Sequence, residues 1–125
     1  MGEKVSFVKW KEPLSDLDKI RQANGISPNF VHSLDASVAQ STANYAKEHD
    51  INSLAMVHDS FATHCNKCDL LGVMIRKSAS EIFSTDLLAQ FRDEIKQQTK
   101  KELPDLPPYG SLDPLEVLGS DYFFA

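Results

Sequence analysis

The chain has 125 residues, 42% apolar and 25% charged, which allows one domain with a modest core and excludes a multi-domain machine, a disordered tract or a membrane protein class. A net charge of −5 argues against this segment coating DNA or RNA by itself, because sequence-independent affinity comes mostly from Lys and Arg on phosphates. No run of roughly 18 apolar residues is present to span a bilayer, and the opening MGEKVSFVKWKEP lacks the apolar core of a secretion signal, so a cytoplasmic protein with no membrane partner is expected.

Residues 4–10, KVSFVKW, are rich in β-formers and read as a strand that Pro13 ends. The stretch SDLDKIRQANG predicts a short helix, with Ser15 as N-cap, Asp16 and Asp18 in the first turn and Gly25 as the stop. In GISPNFVHSLD, Pro28 pushes Ser27 out of the helical region, so an extended connector is expected. Asp35 then caps a second helix, on which Val38, Ala39, Thr42, Ala43, Tyr45, Ala46 and His49 give one mostly small, apolar face, closed by HDIN. Leu54, Ala55, Met56 and Val57 predict a short buried strand, and residues 60–63 the return of a tight hairpin whose turn holds His58 and Asp59.

Asn66 is the expected N-cap of the next helix, with Asp69 three residues on as a loose capping box. Leu70, Leu71, Met74, Ile75, Ile82 and Phe83 fall on it at near-helical spacing. A further helix starts at Thr85-Asp86, presents Leu87, Leu88, Phe91 and Ile95, and turns polar at KQQTKKE. Residues 104–113 form a Pro-rich linker. Asp113 and Pro114 then provide a cap and a proline at the first helical position, for about one turn before an aromatic tail.

Two clusters bear on chemistry. A zinc site needs four ligands, usually from two separated pairs, and His64, Cys65 and Cys68 make one cluster that His32, His49 and His58 do not complete. A buried thiol pair at a helix start is therefore expected. Asp59 stands at the mouth of the predicted buried strand, where a charge is costly unless a cation or hydrogen bonds balance it. The turn VHDS has no glycine, which points to local strain of the kind active sites keep, although an ordinary turn aspartate reads the same way.

Three blocks, GISPNFVHSLDAS, MVHDSFATH and the terminal GSDYFFA, resemble in order and interval the C-terminal portion of the single-subunit, bacteriophage-type RNA polymerases, a group that includes the mitochondrial enzymes. LPDLPPYGSLD resembles that family's proline-rich approach to its C-terminus. The resemblance implies an α+β palm-domain segment: a β-hairpin carrying the catalytic Asp59, flanked by several helices. In this reading residues 1–125 are the C-terminal palm and foot part of a polymerase, with 104–113 as linker and 114–125 as the foot. It also implies that Asp59 is one of two carboxylates that bind Mg²⁺, and that His58 orients the RNA 3′ end, a hydrogen-bonded turn residue being the alternative. Phe123, Phe124 and the Ala125 carboxylate would support the active site, or act simply as packed anchors. His32 and Asp35 match positions near the palm and fingers junction, with structural or indirect roles.

The function so implied is DNA-directed RNA synthesis by two-metal nucleotidyl transfer, expressed only with the remainder of the polymerase and located in the cytoplasm, the host's if the source is viral. That remainder would supply the first metal-binding aspartate and the basic cleft for DNA template, RNA product and NTPs. This chain alone would be a gene fragment or one piece of a split enzyme. The rivals are a family A DNA polymerase fragment, whose motif usually has Glu where Ser60 stands, and a non-catalytic module that occupies a partner polymerase. One departure concerns the sugar: most of the family has a histidine, associated with sensing the ribose 2′-hydroxyl, where this chain has Val38. Ribose selection is then either relaxed or supplied by the missing part.

Overall fold

Asp18 has an extended backbone, and its carboxylate accepts a hydrogen bond from the Arg21 N–H at 3.1 Å; from this cap one helix, α1, runs through Lys19–Glu48. The computed structural model describes residues 16–123, so the strand expected at 4–10 and the cap expected at Ser15 lie outside the described residues. Within them the expected break is absent. Gly25 does not stop a helix, the stretch after it is not extended, and Asp35 is not a cap; all lie inside α1, as does Pro28. An interior proline costs about 3 kcal/mol, largely through the hydrogen bond it cannot make. Here the deprived carbonyl belongs to Asn24, an exposed residue. A single helix also avoids two more ends with four unpaired backbone groups each, and it carries Phe30 onto Phe91, ring centroids 5.0 Å apart.

HDIN closes α1 as expected. Asp50 adopts the left-handed conformation at φ 57, and the Ile51 N–H bonds the Ala46 carbonyl at 2.8 Å, a Schellman ending. The accompanying apolar contact is present too, since Ile51 and Ala46 are both buried in one cluster.

Strands β1 (Leu54–Val57) and β2 (Ser60–Thr63) pair antiparallel, with Leu54 opposite Thr63 and Val57 opposite Ser60. The hairpin is where the sequence places it, but β1 is not buried: Leu54 is half-buried and Ala55, Met56 and Val57 are exposed. A two-stranded sheet covers one face with the core and leaves the other open. The face bearing Leu54 and Phe61 meets the core.

A single 3₁₀ turn, Cys65–Lys67, leads into α2 (Cys68–Phe83). Asn66 sits inside that turn rather than capping α2, because the Cys68 N–H is already taken by the Cys65 carbonyl, and no side chain caps the helix. Both cysteines are exposed, against the expected buried pair. Beyond them α2 follows its predicted face as far as Ile82, while Phe83 at its end is exposed. Leu71, Met74, Ile75, Ser78 and Ala79 are buried, as are Val38, Thr42 and Ala46 on α1, with Thr42 and Ser78 fully enclosed. Small residues at this contact let the two helices approach closely. Leu54, Phe61, Leu70 and Phe123 pack on the core formed by Ala46, Ile51, Leu71 and Ile75, so hairpin and tail reach it at one place.

Asp86 caps α3 (Leu87–Thr99), accepting from the Ala89 N–H at 2.9 Å. The Pro-rich residues 104–113 have no regular structure, yet they are strapped back onto α3. Tyr109 donates to Asp86 at 2.6 Å, and Arg92 lies 3.5 Å from Asp105 and bonds the Leu103 carbonyl. Asp113 then caps a 3₁₀ helix, Pro114–Gly119, with proline at its start as the sequence predicts. Arg76 of α2 donates to the Ser120 carbonyl at 3.0 Å and ties the end of this 3₁₀ helix to α2. Among the described residues no helix is long and apolar enough to cross a membrane.

Candidate active site

The hairpin turn consists of His58 and Asp59 alone, between the paired Val57 and Ser60. His58 has φ 54 and Asp59 is not in the positive region, the pattern of a turn that usually employs glycine first. A histidine kept there carries backbone strain of about 1–3 kcal/mol, which persists only where the surrounding structure imposes it. Asp59 is exposed and has no hydrogen-bond or ion-pair partner among the described residues. Its charge is therefore not cancelled by any of the described residues.

Two cavities meet at this turn. The larger, about 660 Å³ and open, is lined by His32, Asp35, Ala36, Ala39 and Gln40 of α1 and by Met56, His58 and Asp59 of the hairpin. The smaller, about 80 Å³, is lined by Asp35, Val38, His58, Asp59, Phe61, Ala79, Phe83 and Phe123. Four parts of the chain thus converge on Asp59. Positions 32, 35, 36 and 39 have the spacing of one helical face, so α1 turns that face to the site and its next face, Val38, Thr42 and Ala46, to the core.

Of the residues singled out from sequence, Asp59, His58 and Phe123 are brought together, and Val38 joins them at 8% exposure. Phe124 and Ala125 lie outside the described residues. Asp35 is the neighbour that sequence reasoning undervalued. Its signal was the helical spacing from His32 to Ala39, which a connector broken at Pro28 conceals.

Asp59 and Asp35 present carboxylate oxygens, the donors that a hard cation such as Mg²⁺ prefers. Among the described residues no three His, Cys, Asp or Glu side chains gather into a metal-holding group, the cluster of His64, Cys65 and Cys68 included. The donor set fits one side of a magnesium site and not the whole of it.

A family profile described as DNA-dependent RNA polymerase matches residues 3–104. The chain is 37% identical over 117 residues to T7 RNA polymerase of Escherichia phage T7, covering 89% of this chain and 13% of that protein. It is 37% identical over 113 residues to DNA-directed RNA polymerase 1A of Nicotiana tabacum, covering 87% of this chain and 72% of that one. To DNA-directed RNA polymerase 2, chloroplastic/mitochondrial, of Arabidopsis thaliana it is 38% identical over 105 residues, 83% of this chain and 10% of the relative. No solved structure matches significantly. On the profile match, which spans most of its length, the chain belongs to the DNA-dependent RNA polymerase family.

Proposed function

We propose that this chain is the C-terminal palm and foot part of a DNA-directed RNA polymerase, that Asp59 is one of its metal-binding carboxylates, and that it is inactive without the remainder of the enzyme. The observation that carries the reading is the exposed Asp59, without a partner among the described residues, on a strained two-residue turn that faces an open cavity beside Asp35. Two carboxylates that line one cavity with no counter-charge among the described residues are poorly explained by packing alone. A cation supplied from outside the chain explains it directly.

In the complete enzyme Asp59, with its counterpart on the missing part, would hold Mg²⁺, and Asp35 adds negative charge at the same cavity. When bound, the metal lowers the pKa of the attacking RNA 3′-hydroxyl and offsets charge on the departing pyrophosphate. The residues of this chain position the site. Hairpin pairing and the packing of Leu54 and Phe61 on the core hold the turn still. His58 lines both cavities, and in this reading it orients the 3′ end. Val38, Ala79, Phe83 and Phe123 supply the apolar part of the small cavity's lining beneath the carboxylates. The strap at 104–113 and the 3₁₀ helix after it lead the chain to Phe123 in that lining. Template DNA, RNA and NTPs would lie mainly against the remainder, in keeping with the acidic charge of this chain.

The test is complementation. This chain is mixed with the rest of the polymerase, template, NTPs and Mg²⁺, and RNA yield is compared with that of Asp59→Asn. The substitution should lower the rate on the order of a hundredfold or more, the effect of several kcal/mol lost from the transition state. An undiminished yield removes the catalytic role, and the chain is then a non-catalytic partner of the polymerase.

A further inference from the structure

Outside the candidate site, one cluster of reactive side chains is left without a role. Cys65 and Cys68 are both free and both exposed, three residues apart. They occupy the two ends of the single 3₁₀ turn between β2 and α2, which the Cys68 N–H closes onto the Cys65 carbonyl. In this geometry side chains at i and i+3 eclipse, and a rise of about 2 Å per residue sets the two Cα atoms roughly 6 Å apart, inside the 4.4–6.8 Å Cα spacing of disulfides; the Cβ atoms must then draw in to about 3.5–4.5 Å as the bridge closes. The Cys68 thiol also leans back over the same turn, its Sγ 3.5 Å from the His64 carbonyl. An ordinary α-helical pair at this spacing lies about 60° out of line, whereas the tighter turn brings the two side chains onto one edge.

We propose that Cys65 and Cys68 form a reversible thiol–disulfide couple. With a small disulfide such as oxidised glutathione as oxidant, one thiolate attacks a glutathione sulfur, forms a mixed disulfide and releases one reduced glutathione. The second thiolate then attacks the protein sulfur of that mixed disulfide and releases the other glutathione. Two protein thiols are oxidised, one glutathione disulfide is reduced to two thiols, and the two protons pass to the departing glutathione thiolates or to water. The product bridge spans only the joint between hairpin and α2. It ties no distant elements together, so it leaves the helix pair and the turn at Asp59 in place.

The experiment uses the full chain, reduced and then incubated with glutathione at graded ratios of oxidised to reduced form. Remaining thiols are alkylated and the products read by intact mass and peptide mapping. The expected oxidised product has lost two hydrogens, carries no alkyl group and maps the bridge to one peptide holding both cysteines, with unchanged helical circular dichroism. Cys65→Ser and Cys68→Ser should each stop at a glutathione adduct. In denaturant, where the 3₁₀ turn is lost, the ratio of bridged to adducted chain should fall several-fold. Accumulation of doubly adducted chain, covalent dimers in place of the internal bridge, or a bridging ratio equal in native and denatured protein would each overturn the proposal.

Discussion

Asp86 shows how single side chains tie this fold together. Its carboxylate accepts from the Tyr109 hydroxyl at 2.6 Å and from the Ala89 N–H at 2.9 Å, and these bonds, the tyrosine's first, hold its pKa below 3.8. A lowered carboxylate pKa contributes stability that is present above 3.8 and is lost as pH falls through the folded-state value. Tyr109→Phe should therefore move Asp86 back toward 3.8 in a carboxyl NMR titration and start the acid fraying of α3 at higher pH; an unmoved titration refutes the coupling. At the candidate site the telling residue is Val38, which borders the small cavity with His58 and Asp59 and has no hydrogen-bonding side chain. Val38→His in the reconstituted polymerase should sharpen selection of NTPs over dNTPs about tenfold, the worth of one hydrogen bond. An unchanged ratio places sugar selection on the other part of the enzyme.

Among the elements, α1 departs furthest from local expectation. Its Gly25 is helical, and a Cβ there would meet only the Asn29 Nδ2 at 3.9 Å, an ordinary contact. Gly25→Ala should stabilise the chain by roughly 0.5–1 kcal/mol and Pro28→Ala by up to about 3 kcal/mol, read from urea melts followed by helical signal. Neutral or destabilising effects at both positions would mean that α1 is broken there. The contrast with α2, whose face from Leu71 to Ala79 follows its sequence periodicity, has a physical basis. Periodicity reports burial, and α2 is buried; the first half of α1 is exposed, so its sequence carries Gly and Pro signals that tertiary continuity overrides. The hairpin was legible because β-formers and a two-residue turn are local features. The exposure of β1 was not, since it depends on what lies against the sheet. In the same way the HDS stretch marked Asp59 and His58, while the partnership with Asp35 needed a helix that local rules had cut. The cysteines were misjudged as buried because a 3₁₀ turn has no distinctive pattern of residues.

The molecule as a whole leaves much apolar surface uncovered. Leu17 is 77% exposed, Ile20 75% and Leu112 77%, and Ile26 and Val31 of α1 are more than half exposed as well. Such surface marks an interaction site in a soluble protein. If the remainder of a polymerase covers it, adding that part in excess should raise the thermal midpoint of this chain by several degrees, by mass action on the folded state. The claim on which the functional account turns is that Asp59 faces a bound metal, and cleavage by Fe²⁺ in place of Mg²⁺ in the reconstituted enzyme tests it most directly. Hydroxyl radicals generated at the metal should cut this chain at residues 57–60 and in α1 near Asp35, with cutting suppressed by Mg²⁺ and lost in Asp59→Asn. Cuts confined to other segments, with the hairpin intact, would contradict it.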